Sequence, residues 1–202
     1  MYVVTAAALV WIVAGLHNPA VIVPGICLLL STYLMMELNN GNALIRIYSR
    51  MVSCAFLVFT TMAVFIFPSV RSAIVMLGMV GYYTLAFRCY QDTHAPGWTF
   101  YAYFCIGMVS IVWVQILFFL PVFWIVMRTN LLALSIRNFF ASVLGVMLPY
   151  WFFAGYLAAK GDISVLADHF TQLAVFSEPL FFSSLKMSQI VIALFVLICA
   201  AI

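Results

Sequence analysis

The sequence predicts an all-α protein, a polytopic bundle of about eight transmembrane helices (seven or eight) with a surface amphipathic helix near residues 163–176. Only 6% of the residues are charged, 68% are hydrophobic, and the apolar runs are continuous over 15 to 30 residues. A soluble domain carries about 25% charged residues, and a transmembrane barrel shows alternating segments of about ten residues. We therefore expect one integral-membrane helical domain over residues 1–202, with the lipid bilayer as its main solvent.

The first helices follow from breaks in the apolar sequence. A His-Asn-Pro segment at residues 17–19 separates the apolar stretches 2–16 and 20–36. Proline after a polar pair favours a turn, so these stretches predict a hairpin of two short helices. A single helix over both would be about 50 Å long, too long for one crossing without strong tilt. The polar residues 37–42 then predict the clearest turn of the chain.

Beyond this turn, Arg46 and Arg50 lie four residues apart, on one face of a juxtamembrane helix where both can bind lipid phosphates. Two spans follow, over residues 51–67 and 72–87, and the second ends at a polar loop over residues 88–97. Aromatic residues near the ends of this loop are typical of a membrane interface.

Residues 98–127 carry no charge over 30 positions, although a glutamine and a proline interrupt them. Two interpretations fit this run. One long broken helix crosses once, or two helices turn near residues 118–121. We favour two helices because the uncharged residues 131–136 can complete the second crossing. Arg128 then lies deep in the bilayer, which is costly for an unpaired charge.

The clearest span follows, because Arg137 and Lys160 bound 22 residues without a formal charge. This length fits the ~20 residues that a helix needs to cross ~30 Å of hydrocarbon. Ala141 and Gly145 are small residues four apart, and such pairs let helices approach closely. Pro149 predicts a kink that either opens a cleft or fits a neighbouring helix, and we favour the fit.

A surface helix is predicted over residues 163–176, with Asp162 as its N-cap. Its apolar residues recur at helical spacing, whereas Asp168 and His169 belong to the polar face. A last span covers residues 187–202.

The basic residues suggest an orientation. With eight spans, alternate loops place five on one side and three on the other: Arg46, Arg50, Arg88, Arg128 and Arg137 against Arg71, Lys160 and Lys186. Cytoplasmic loops carry the excess of basic residues, so we expect a cytoplasmic N-terminus. A single span over residues 98–127 keeps this ratio, because the last two lysines then exchange sides with Arg128 and Arg137.

Apart from Arg128, no ionisable residue falls in mid-span, which disfavours an ion-driven pump or carrier. The acid–histidine groupings are Asp92 with His94, and Asp168 with His169, in a loop and on the surface helix. Their spacing matches no hydrolase or metal motif, so we predict no cofactor and no metal site, and we favour a non-enzymatic role. The net charge of +3 forms no basic cluster, so a nucleic-acid partner is not expected.

Residues 134–139 (Leu-Ser-Ile-Arg-Asn-Phe), 144–145 (Leu-Gly) and 148–152 (Leu-Pro-Tyr-Trp-Phe) resemble a family of uncharacterised bacterial multi-pass inner-membrane proteins, a domain of unknown function. In that family an Arg-Asn pair, here Arg137 and Asn138, opens a helix that Leu-Gly and Pro-Tyr continue. The resemblance implies placement in the bacterial inner membrane and implies no reaction. The apolar sequence stops abruptly at both ends, so we expect either end to be clipped relative to these relatives.

Three functions are therefore considered, in order of preference. The first is a non-catalytic subunit or scaffold of the bacterial cell envelope that packs against other membrane proteins. The second is a small permease or substrate-capture subunit for a neutral or apolar compound, with a cavity near the Pro149 kink and the broken 98–127 run. The third is an enzyme on lipid-linked substrates. The candidate functional residues are Arg137, Asn138, Pro149, Asp92, His94, Asp168 and His169.

Overall fold

The computed structural model describes residues 22–42, 51–62, 69–162 and 164–174, and these contain seven α-helices and no strand. In chain order the helices are α1 (Ile22–Asn42), α2 (Met51–Met62), α3 (Val70–Phe87), α4 (Pro96–Val112), α5 (Leu120–Thr129), α6 (Ile136–Lys160) and α7 (Ser164–Ala174), with a 3₁₀ segment at Val114–Phe119. The predicted all-helical class is confirmed.

Three helices, α1, α3 and α6, are long and apolar enough to cross a membrane, and α4 and the 3₁₀–α5 leg are shorter apolar helices. The predicted count of seven or eight spans is therefore not confirmed. The first helix and the turn of the predicted hairpin (residues 2–19), the Arg46 and Arg50 helix, and the last span over residues 187–202 lie outside the described residues. The second helix of that hairpin, predicted over residues 20–36, corresponds to α1, which continues to Asn42.

The helix α6 begins and ends where its sequence provides the caps. Ser135 has extended backbone, and its Oγ accepts a hydrogen bond from the Asn138 N–H at 3.3 Å. Gly161 ends the helix in the left-handed region with φ 80°, where the Cβ of any other residue would cause steric strain. These bounds agree with the helix predicted over residues 138–159.

Residues 37–42 belong to α1, so the turn predicted there is wrong. Leu38 and Asn39 are buried, and the Asn42 Nδ2 donates to the Leu38 carbonyl oxygen at 2.9 Å. Gly41 costs a helix only about 1 kcal/mol relative to alanine. The packing of the buried Leu38 and Asn39 side chains offsets this small cost, so packing overrides the local preference.

The long uncharged run consists of two legs, and the chain turns at Trp113. This residue has extended backbone (φ −141°, ψ 91°), which separates α4 from the 3₁₀ segment. Gln91, just before α4, donates its N–H to the carbonyl oxygen of Leu131, just after α5, at 2.8 Å. The second leg therefore returns to the end of the bundle where α4 begins. The turn predicted near residues 118–121 is misplaced, because Pro121 lies at the start of α5, where its missing N–H is not needed.

Helix α4 lies between α3 and α6, and α1 packs against α3. The core between these helices contains Tyr82, Tyr103 and Ile106, all fully buried. The Tyr82 ring meets the Tyr103 ring edge-on, with 5.6 Å between centroids, and lies 4.8 Å from the Phe123 ring of α5. The returning leg is therefore part of the same core.

The helices α4 and α6 approach each other at two glycines. A Cβ on Gly145 would lie 2.5 Å from the Phe100 carbonyl oxygen and 3.1 Å from the Phe104 nitrogen. A Cβ on Gly107 would lie 2.8 Å from the Val146 carbonyl oxygen. These contacts are with backbone atoms, so side-chain adjustment cannot relieve them. The close approach that the small residues predicted is present.

The basic residues of the described bundle lie at its two ends. Ser135 Oγ donates to the Thr93 carbonyl oxygen at 2.9 Å, so α4 and α6 begin at one end. This end, called the arginine end, carries Arg88, Arg128 and Arg137. At the opposite end Arg71 Nε donates to the Val112 carbonyl oxygen at 2.7 Å, and Lys160 ends α6. Among the described residues, this grouping matches the two-helix interpretation of the sequence.

Candidate functional site

An apolar groove of about 690 Å³ lies between the 3₁₀–α5 leg, α6 and α7. Its lining is almost entirely carbon, and its size falls within the range of small-molecule sites. We call it the apolar groove. The returning leg forms one wall, α6 forms the other, and α7 closes one end; the lining includes Leu117, Leu120, Trp124, Val143, Met147, Trp151, Ala154, Leu166 and Phe170.

The periodicity of α6 places its groove wall away from α4. Val143, Met147 and Trp151 recur every four residues, so their side chains lie on one face of the helix. Ala141 and Gly145 are buried on the face toward α4. One helix therefore packs its small residues against the core and turns its large residues to the groove.

Hydrogen bonds fix the wall that Trp124 contributes. The indole Nε1–H donates to Ser142 Oγ at 2.9 Å, and the Ser142 hydroxyl donates to the Phe139 carbonyl oxygen at 2.6 Å. The Trp124 and Phe139 rings also pack, with 4.8 Å between centroids. Because its polar atom is satisfied, the indole presents only its apolar surface to the groove.

His169 anchors α7 at the end of the groove. It was predicted on the polar face of a surface helix, but its ring faces the bundle. Its Nε2 donates to the Ser110 carbonyl oxygen of α4 at 3.2 Å, and its ring lies 6.1 Å from that of Tyr150. Phe170 stacks on Tyr150 at 5.3 Å. The prediction that His169 lies on the polar, outward face of the helix is therefore wrong. Its ring turns to the bundle because the Ser110 carbonyl oxygen offers a hydrogen-bond partner, which helical periodicity does not reveal.

We expect His169→Ala to loosen α7 and leave the rest of the fold intact. The substitution removes the hydrogen bond to Ser110 and the ring contacts with Tyr150. Limited proteolysis in detergent should cut within α7 several-fold faster than in the native chain. Gln172→Ala is the control, because Gln172 is exposed on the same helix. Equal cleavage rates in the two variants would contradict this anchor.

A second, smaller cavity of about 330 Å³ opens at the arginine end. We call it the arginine cleft, and it is lined by Arg128, Leu134, Ser135, Ile136 and Phe139. Arg128 lies exposed in the last turn of α5, where a cation is favoured by the helix dipole. The two-helix interpretation implied a deep placement for this arginine, whereas the structure has it at the end of the bundle that also carries Arg88 and Arg137. Because the chain turns earlier than predicted, α5 reaches the end of the bundle with Arg128 at its tip.

The Asp92 and His94 pair lies in the exposed loop of the arginine end. Asp92 Oδ1 accepts the backbone N–H of His94 at 2.8 Å, a contact that stabilises a tight turn. The His94 ring meets the Thr93 hydroxyl at 3.2 Å. The carboxylate therefore contacts the backbone of the histidine, and the ring has a different partner. Asp168, the other predicted acid, is exposed on α7.

The remaining candidates occupy different positions on α6. Arg137 is exposed at the arginine end, whereas Asn138 is fully buried and its Nδ2 donates to the Ala133 carbonyl oxygen at 2.6 Å. Pro149 is buried against α4, close enough that a Cβ on Gly107 would lie 2.9 Å from its Cγ. Asn138 and Pro149 thus hold α6 in place, and Arg137 is accessible to partners.

Groups that could carry out covalent or metal chemistry are dispersed. Within the described ranges, no three His, Cys, Asp or Glu side chains form a possible metal site. Cys89 is buried where α3 ends, and burial raises the pKa of its thiol despite a contact with the Thr99 hydroxyl at 3.6 Å. A raised pKa keeps the thiol protonated and a poor nucleophile.

The fold and site define a helical bundle with three helices of membrane-spanning length and a lateral apolar groove beside a cationic cleft. Comparison with protein-family models, curated proteins and solved structures finds no match for this chain. The function is therefore argued from the site alone.

Several residues of the site were not singled out from the sequence, chiefly Trp124, Met147 and Trp151. A signal for them existed. The face of α6 without small residues carries large apolar side chains, and a helix that packs by its small face leaves such residues for another use. The sequence does not reveal the position of the returning leg, which forms the wall of the apolar groove opposite α6.

Proposed function

We propose that the chain is a multi-pass protein of the bacterial inner membrane that captures an apolar or amphipathic compound by its apolar part in the apolar groove, without transforming it. The observation that carries this proposal is the groove itself. It holds about 690 Å³ and is lined by apolar side chains from three elements. Such a lining offers dispersion contacts and, apart from the Tyr150 hydroxyl, no ionisable side chain, so it suits binding better than catalysis.

The membrane placement rests on length, composition and charge. Three described helices are long and apolar enough to cross a bilayer, and the basic residues of the described ranges lie at the two ends of the bundle. We propose about eight crossings for the whole chain, with the arginine end and the N-terminus in the cytoplasm. The excess of arginines at that end supports this orientation. We also propose that α7 lies along the opposite membrane surface, with Asp168 in the headgroup layer.

Thermal unfolding in mild detergent, with a panel of long-chain alcohols, isoprenoid alcohols, diacylglycerols and phospholipids, tests the capture function. A ligand at 100 times its Kd stabilises a native state by about 2.7 kcal/mol, so at least one class should raise Tm measurably. Ala154→Trp fills the groove and should abolish the rise. Ala159→Trp, at an exposed position of the same helix, should preserve it. A flat response of the native chain across the panel would remove the capture function.

A second candidate is a non-catalytic subunit that packs against partner membrane proteins. It is favoured by small residues on the last turns of α6, where Gly155 has open space around it and Ala158 and Ala159 are exposed. Small residues let a partner helix approach closely. Purification in mild detergent as a lone monomer without any co-purifying protein would count against this candidate.

A further inference from the structure

We infer, on the basis of the proposed capture function, that the ligand is an anionic phospholipid. Its acyl chain lies in the apolar groove, and its phosphate binds Arg128 in the arginine cleft. The inference goes beyond an apolar ligand because it assigns a charged headgroup and a position for it.

The apolar groove and the arginine cleft are separated by one pair of packed aromatic rings. Trp124 lines the apolar groove, Phe139 lines the arginine cleft, and their ring centroids are 4.8 Å apart. A molecule that lies over this ring pair would therefore have one part in each cavity. An amphipathic molecule with one long chain and one compact polar end has this shape.

The arginine end offers a cationic group to a phosphate. Arg128 is exposed in the cleft, and no carboxylate within the described residues forms an ion pair with it. Arg137 and Arg88 lie at the same end, which also carries Asp92, so the described side chains there have a net positive charge. The Ser135 hydroxyl, which also lines the cleft, donates to the Thr93 carbonyl oxygen. Arg128 is therefore the cleft residue with donors free for a phosphate, and guanidinium groups bind phosphates with paired hydrogen bonds.

Arg128 and the apolar groove lie at different heights along the bundle. Arg128 lies at the tip of α5, whereas the groove follows the apolar lengths of α5 and α6. An arginine at that height meets the headgroup layer of a bilayer, and the groove meets the hydrocarbon. The complementarity thus includes both the charge and its distance along the membrane normal.

Native mass spectrometry tests this inference. The full chain is reconstituted in vesicles with equal amounts of phosphatidylglycerol and phosphatidylcholine of matched acyl chains, and is then extracted in mild detergent. We expect one retained lipid per chain, with phosphatidylglycerol preferred about tenfold. Both lipids carry a phosphate, but the choline ammonium of phosphatidylcholine compensates its own phosphate and is repelled by Arg128, which weakens its binding in the cleft. Arg128→Gln should lower the preference to about onefold. Arg137→Gln, an exposed arginine of the same end that does not line the cleft, should keep it.

The outcomes separate this inference from the proposed function. If the native chain retains both lipids equally, or Arg137→Gln removes the preference as Arg128→Gln does, the headgroup site is wrong. Ala154→Trp should lower retention of both lipids. If Ala154→Trp lowers the retention of both lipids while the native chain shows no headgroup preference, the groove still captures acyl chains and only the headgroup assignment is wrong. If Ala154→Trp retains lipid like the native chain, the capture function falls as well.

Discussion

Gly145→Ala should destabilise the protein by about 3 kcal/mol, the upper end of the usual range for overpacking. The added methyl group would lie 2.5 Å from the Phe100 carbonyl oxygen and 3.1 Å from the Phe104 nitrogen. Both atoms belong to the backbone of α4, so the helices must separate to accept it. Separation would also loosen the Gly107 contact, where α4 meets the Val146 carbonyl oxygen.

Reversible unfolding in mixed micelles, followed by circular dichroism, measures this loss. The control is Gly155→Ala on the same helix, because no atom lies within 4 Å of a Cβ placed there. Alanine is also the better helix former by about 1 kcal/mol, so the control should be neutral or slightly stabilising. A Gly145→Ala variant as stable as this control would refute the close approach of α4 and α6.

Asn138→Asp should be the second large effect, with a loss of several kcal/mol at neutral pH. The two side chains have nearly the same shape, so no cavity complicates the comparison. Asn138 is fully buried, and its Nδ2 donates to the Ala133 carbonyl oxygen at 2.6 Å. A carboxylate has no donor there, so two oxygens would face each other. A buried, unpaired charge adds a desolvation penalty of several kcal/mol.

The same unfolding assay measures the effect, and Asn130→Asp serves as the control. Asn130 is exposed in the loop that leads to α6, so water solvates a new carboxylate there. We expect the control to lie within about 0.5 kcal/mol of the native chain. Comparable losses in both variants would mean that general charge repulsion, and not the buried hydrogen bond, determines the result.

These two positions explain why α6 can carry a binding surface. Asn138 secures its first turn to the preceding loop, and Gly145 locks its middle against α4. The opposite face of α6 is then held rigidly beside the returning leg and α7. A groove between rigid walls binds a ligand without first having to order itself, which favours affinity.

The sequence by itself determined the helical class, the low charge and the bounds of α3 and α6. Continuous apolar runs admit only helices, and Ser135 and Gly161 are local caps whose effect needs no distant partner. It also predicted that Ala141 and Gly145 would pack closely and that the Pro149 kink and the broken 98–127 run could border a cavity. The apolar groove is lined by the second leg of that run and by residues on either side of Pro149, and its ligand is a proposal.

Only the tertiary structure decided where the long apolar run turns, that residues 37–42 stay helical, and that His169 faces the bundle. Each of these depends on a partner distant in the chain. Leu131 meets Gln91 beside the start of α4, and the Ser110 carbonyl oxygen receives the His169 ring. In an apolar sequence many local patterns are nearly equal in free energy, so contacts between helices decide among them. The apolar groove and the arginine cleft exist because α5 returns beside α6, and no local pattern specifies that path.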